Sequence, residues 1–219
     1  MKNLINSQAQ FDWMFFAGQA LDVVTKSLSS ESEILDIGVG RGDHALELLK
    51  RGHWVTGVDV NLRARAEVVD HPNFAFENCL FEDYKTNKKY DCIWASHVLE
   101  HVANPGNFLK SCLQLLKEDG VLAITVPPLK HNIVGGHVSL WNAGLLLYNL
   151  VLAGVDCKNA AVKTYGYNIS VVVRNTPRPA VFLKYDSGDI DTLAEFFPKG
   201  LGVKENFNGS IQSQGWGAV

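Results

Sequence analysis

Three glycines alternate at Gly38, Gly40 and Gly42, directly after the apolar run at residues 33–38 and before a helical pattern that begins at Asp43. A glycine-rich turn between a strand and a helix bends tightly and lets the backbone approach a ligand, which points to a nucleotide-like cofactor. Asp59 ends the next apolar run, where a carboxylate can accept both hydroxyls of an adenosine ribose. The dinucleotide fingerprint would need Gly or Ala at position 43, and Asp43 stands there, so a pyrophosphate-bearing NAD fits poorly. Proton transfer has its own candidates. His97 and His101 follow a fourth apolar run, and His131 and His137 lie in a loop rich in Pro and Gly. Histidine titrates close enough to neutrality to serve as a general base. His137 is the preferred one, because Gly135-Gly136 frees its backbone to approach a ligand.

The elements that must position these residues alternate along the chain. Strands are expected at residues 33–38, 54–59, 73–77, 91–96 and 121–127, and helices at 43–50, from Pro105 through Lys117, and from about Leu140 to Ala153 with Ser139 as its cap. This alternation predicts an α/β layer structure with a parallel sheet. Two β-like runs, AAVKTY and ISVVVR, flank Gly166-Tyr167-Asn168 and predict a terminal antiparallel hairpin. The organisation expected is a single domain over 1–219. It comprises a helical cap at 1–30, a substrate loop at 127–142, and a C-terminal extension at 176–219 with periodicity only around residues 190–197. Trp141, Tyr165 and Tyr167 could wall an acceptor, whereas Tyr148 reads as core, and Arg174 and Arg178 as solvated surface.

Composition narrows the classes. The 219 residues are 47% hydrophobic and 20% charged, enough to bury a core, and 20 basic against 23 acidic side chains leave no surplus for nucleic-acid phosphates. The four cysteines form no CxxC pair and are expected as reduced thiols. No leader and no uncharged run of ~18–20 residues is present, so a soluble cytoplasmic protein without a membrane partner is expected.

Taken together, Asp36-x-Gly38-x-Gly40-x-Gly42, Asp59, and the stretch from DCIWASHVLEHV to LKEDGVLAITVP resemble the class I S-adenosylmethionine-dependent methyltransferases of the small-molecule type with an LEHV motif. The resemblance spans residues 33–128. It implies a Rossmann-like seven-stranded sheet in the order 3-2-1-4-5-7-6, with strand 7 antiparallel and helices on both faces. It also implies S-adenosyl-L-methionine as cofactor, with Gly38, Gly40 and Gly42 along the methionine part, Asp36 orienting its ammonium, and Asp59 holding the ribose with Val60 beside it. Leu80 and Phe81 would flank the adenine, and Ser96 and His97 would border the cofactor. In ubiquinone-biosynthesis O-methyltransferases a similar stretch has two glutamates and a histidine that hold a divalent ion; here His97 takes the first acidic place, Glu100 and His101 remain, and no metal is expected. The function implied is in-line methyl transfer to a small-molecule or glycan acceptor, at a hydroxyl oxygen, with His137, His131 or His101 as base. A noncatalytic S-adenosylmethionine-binding module and an NAD-dependent oxidoreductase are the competing readings.

Overall fold

The computed structural model describes residues 17–217 and 219, so the first part of the expected N-terminal cap lies outside the described residues. What is described of that cap is helix α1, Gly18–Ser27, which buries Ala20, Leu21, Val23 and Val24. Strands β1 (Glu33–Ile37), β2 (Trp54–Asp59), β3 (Phe74–Asn78), β4 (Tyr90–Ser96) and β5 (Leu116–Val126) alternate with helices α2 (Asp43–Lys50), α3 (Ala66–Val69) and α4 (Pro105–Leu115). Helix α5 (Ala143–Ala153), the hairpin β6 (Ala161–Tyr165) and β7 (Asn168–Arg174), the short helix α6 (Asp189–Leu193) and strand β8 (Ser213–Gln214) follow.

The sheet runs β3-β2-β1-β4-β5-β7-β6-β8. The first five strands pair in parallel, and β7 enters antiparallel between β5 and β6, as expected. The eighth strand is an addition to the seven expected. β6 would otherwise end the sheet with unpaired N–H and C=O groups. The chain terminus returns to cover them, pairing Val162 with Gln214 and Lys163 with Ser213, and the Thr164 hydroxyl donates to the Ile211 carbonyl.

Two apolar layers flank the sheet. Leu35, Ile93 and Ile124 point to one side and meet Phe108 of α4 and Leu147 of α5. Ile34, Val55 and Val172 point to the other and meet Leu21 of α1 and Leu48 of α2. Burial on both faces explains why the central strands read as continuous apolar runs instead of alternating ones.

Among the boundaries that differ from the sequence expectation, the helix expected through Lys117 ends at Leu115, and two others have a clear local reason. Strand β5 begins at Leu116, not at residue 121, because Leu116 pairs with Tyr90 ahead of a bulge that restores register at Cys92 and Val121. Helix α5 begins at Ala143 because the Asn142 side chain accepts the Leu145 N–H at 2.8 Å and caps it. Ser139, the cap expected, instead accepts from the Trp141 indole and donates to the Leu99 carbonyl. The C-terminal segment packs on α5: the Gly144 N–H donates to Gly209, and Tyr148 stacks on Phe197. Among the described residues no helix is long and apolar enough to cross a membrane.

Candidate active site

A cavity of about 470 Å³ opens at the carboxyl ends of β1, β2 and β4, the edge at which parallel α/β sheets bind ligands. Gly38, Asp59, Val60, Leu80, Phe81 and His97 line it, as do Arg63, His101 and Phe108. Asp36, Gly40, Gly42 and Ser96 stand back from its wall. Asp59 is fixed from both sides: one carboxylate oxygen accepts the Gly40 N–H at 2.9 Å and the other the Asn61 N–H at 3.1 Å. Asn78 donates to the Asp59 carbonyl and holds β3 against this corner. Asp36 is buried at the end of β1, and burial first, then the charge of Asp59, pushes its pKa up to about 7.

The glycines are required as much by packing as by any ligand. Gly38 has φ +74°, and a Cβ there would lie 2.4 Å from a methyl of Val98; one at Gly42 would lie 2.9 Å from Val68. Gly38→Ala is therefore expected to lose about 2–5 kcal/mol through left-handed strain and overpacking. A urea titration would show this as a lower midpoint with an unchanged slope.

Beyond β4 the chain turns sharply at His97, a residue with φ +57°. Such strain in a non-glycine residue persists only where neighbours hold it. Asn168 on β7 is one of these neighbours: its Oδ1 accepts the Ala17 N–H at 3.2 Å and lies 3.0 Å from His97 Nε2, while its amide donates to the Tyr165 carbonyl. With the amide so oriented, His97 Nε2 is the donor, and Nδ1 turns toward Glu100 Oε1 at 3.4 Å. His101 Nδ1 lies 2.8 Å from the Gly136 carbonyl, which can only accept, so Nδ1 is the donor there, and Nε2 faces the same Glu100 oxygen at 3.8 Å. Glu100 is fully buried, and neither of its oxygens accepts a hydrogen bond among the described residues.

The loop at 127–142 closes on this turn. Pro128 bridges Trp141, and the Val138 N–H donates to the Glu100 carbonyl at 2.8 Å. His137 is thereby set edge-on to His101, with ring centroids 4.9 Å apart. One ligand atom from each of Glu100, His101 and His137 lies within 4.8 Å of the others. A second cavity of about 210 Å³ lies under the loop and is lined by Pro127, Lys130, Ile133, His137 and Tyr167 among others. The Tyr167 ring stacks on His97, so His97 with Tyr167, and His101 with His137, separate the two cavities. His131 is exposed and lines neither. Asn168 carried no sequence signal, since it meets His97 from 71 residues away.

Residues 14–148, more than half of the sequence, match the family model described as a methyltransferase domain. The chain belongs to this methyltransferase family. Its fold is that of the class I S-adenosylmethionine-dependent methyltransferases. The methyltransferase chain is 36% identical over 105 residues to the ubiquinone biosynthesis O-methyltransferase of Glaesserella parasuis serovar 5 (strain SH0165), covering 42% of this chain and 44% of that protein. It is 34% identical over 104 residues to the protein of the same name from Rickettsia canadensis (strain McKiel), covering 44% and 43%. The chain thus spans less than half the length of these curated relatives. Among solved structures, it superposes with a TM-score of 0.60 at 18% identity on the Burkholderia thailandensis 1,6-didemethyltoxoflavin-N1-methyltransferase, covering 76% of this chain and 82% of that one. That crystal structure holds 1,6-didemethyltoxoflavin and S-adenosylhomocysteine, and at this identity the likeness shows a shared fold.

Proposed function

We propose that this methyltransferase transfers the methyl group of S-adenosylmethionine to a hydroxyl oxygen of a small molecule. The observation that carries the reading is the pairing of the two cavities across the three histidines His97, His101 and His137. The larger cavity suits the cofactor. Asp59, fixed by two backbone N–H groups, retains lone pairs for the ribose hydroxyls, Leu80 and Phe81 offer apolar faces to the adenine, and the buried Asp36 suits an ammonium. S-adenosylmethionine supplies a methyl already activated on a sulfonium, which leaves the protein to align the acceptor, exclude water and receive a proton. His137 lines the smaller cavity and would take that proton from the acceptor hydroxyl. His101, its ring fixed by the Gly136 carbonyl, holds the His137 edge, and the loop at 127–142 closes the acceptor side. The free thiols Cys79, Cys92, Cys112 and Cys157 are in keeping with a cytoplasmic location.

A second role for the same cluster is favoured by Glu100, whose buried oxygens accept no hydrogen bond. Glu100, His101 and His137 together would suit a divalent ion, which would supply positive charge beside the acceptor oxygen.

Calorimetry with S-adenosylhomocysteine and NAD, followed by transfer of labelled methyl to a panel of phenols, tests the assignment. Binding of the first ligand alone, with label recovered as a methyl ether, is expected; no affinity for S-adenosylhomocysteine would overturn it. Dialysis against EDTA separates the two roles of the cluster. Unchanged turnover assigns His137 as base, whereas a loss of at least tenfold restored by Zn²⁺ or Fe²⁺ assigns the ion.

A further inference from the structure

Resting on the methyl-transfer reading above, we infer that the acceptor is a single-ring molecule bearing an acidic group, and that Lys130 selects it by that charge. The smaller cavity, at about 210 Å³, lies below the ~300–1,000 Å³ range of sites for drug-sized ligands, which limits the acceptor to roughly one ring. Its walls are largely apolar, with Pro127, Pro128, Ile133, Val134 and Leu140 available to cover a ring face. Against these walls stands one cation. Lys130 is the lone lysine or arginine among the lining residues, and no carboxylate lines the cavity. The chain contains no Asp or Glu from Val121 to Val155, so no carboxylate on the second half of β5, the loop or α5 neutralises Lys130. Among the described residues its ammonium forms no ion pair; it rests over the Tyr167 ring, 4.1 Å from the centroid.

A cation held on an aromatic face is bound more weakly than one in a charge-assisted hydrogen bond to an oxyanion. An entering carboxylate would therefore draw Lys130 into the cavity. Tyr167 gives the position its meaning, because the ring beneath Lys130 is the one that stacks on His97 at the cofactor cavity. The anion site and the methyl-donor site share a wall, and an acid group held by Lys130 would fix how the ring's hydroxyl meets that wall. His137, on the same cavity, would then face the hydroxyl.

The test compares 3- and 4-hydroxybenzoate with the matching hydroxybenzamides, in the wild type and in Lys130→Met and Lys130→Arg. The wild type is expected to favour an acid over its amide by about 10- to 100-fold in kcat/KM. Lys130→Met should erase that preference by lowering kcat/KM for the acid to the level of the amide, and Lys130→Arg should retain it. Equal use of acid and amide by the wild type, or a preference that survives Lys130→Met, would overturn the role of Lys130 while leaving methyl transfer standing. Calorimetry on enzyme loaded with S-adenosylhomocysteine separates the other failure: acid-selective binding without turnover would uphold the anion site and refute methyl transfer to such acceptors. Absence of both binding and turnover for every probe would refute the acceptor class.

Discussion

At pH 8, Asp36→Asn is expected to make the ligand-free protein more resistant to heat and, at the same time, to weaken its hold on S-adenosylhomocysteine by at least about 100-fold. Asp36 ordinarily would ionise near 3.8 but is pushed up to about 7 by burial and by the neighbouring charge of Asp59. A raised carboxyl pKa means that the folded state prefers the protonated form. Its stabilising contribution is fully present below pH 3.8, declines as pH rises, and is gone above about 7, where the folded protein must bury a carboxylate. The separation between 3.8 and about 7 corresponds to about 4 kcal/mol at ~1.4 kcal/mol per pH unit, which sets the upper limit of the gain from a neutral amide. For a chain of this size that is a rise in Tm on the order of 10 °C at pH 8, shrinking at pH 5, where the wild-type side chain is itself largely protonated. In the proposed site the ligand's ammonium would reverse the balance, since it would offset the charge buried behind the cavity wall. Wild-type affinity should thus fall by up to about tenfold per pH unit below 7, and that of Asp36→Asn should be weak and flat. Scanning fluorimetry and calorimetry across pH 5–8 would check both halves; a variant that melts below the wild type at pH 8 would refute the account.

The second large effect is at the other cavity. His137→Ala is expected to lower kcat by about 10²- to 10⁴-fold, the range of a lost general base, while the Kd for S-adenosylhomocysteine stays within about twofold. The separation follows from position, because His137 lines the smaller cavity and not the larger one. His101→Ala should lower kcat and weaken S-adenosylhomocysteine binding together, since His101 lines the larger cavity, proposed for the cofactor, and also holds the His137 edge. His131→Ala should change neither, as His131 is exposed and lines neither cavity. Single-turnover transfer of labelled methyl to hydroxybenzoates, measured beside calorimetry, distinguishes the three. A His137→Ala enzyme with wild-type turnover would remove that residue from proton transfer.

Both predictions join residues of unequal legibility. Asp36, Gly38 and Asp59 could be read from the chain because each marks a strand end or a turn within a short stretch, where local backbone geometry dictates residue type. The order of the sheet was likewise expected, and the structure departs from it by adding β8, a pairing of two residues too short to leave a periodic signal. Even at the legible turn, the reasons were incompletely visible: Gly38 and Gly42 avoid Val98 and Val68, partners that no local pattern names.

The sequence by itself marked the edge at which the larger cavity opens, since a strand, a tight turn and a carboxylate at the next strand end are local features with local physical causes. The smaller cavity was decided only in three dimensions. Antiparallel insertion of β7 beside β5 brings Asn168 to His97 across 71 residues, and docking of the loop at 127–142 brings Gly136 to His101 across 35. The same folding places Lys130 over Tyr167 and His137 against His101. Which of the four candidate histidines share a wall depends on these long-range pairings, and spacing along the chain carries no record of them.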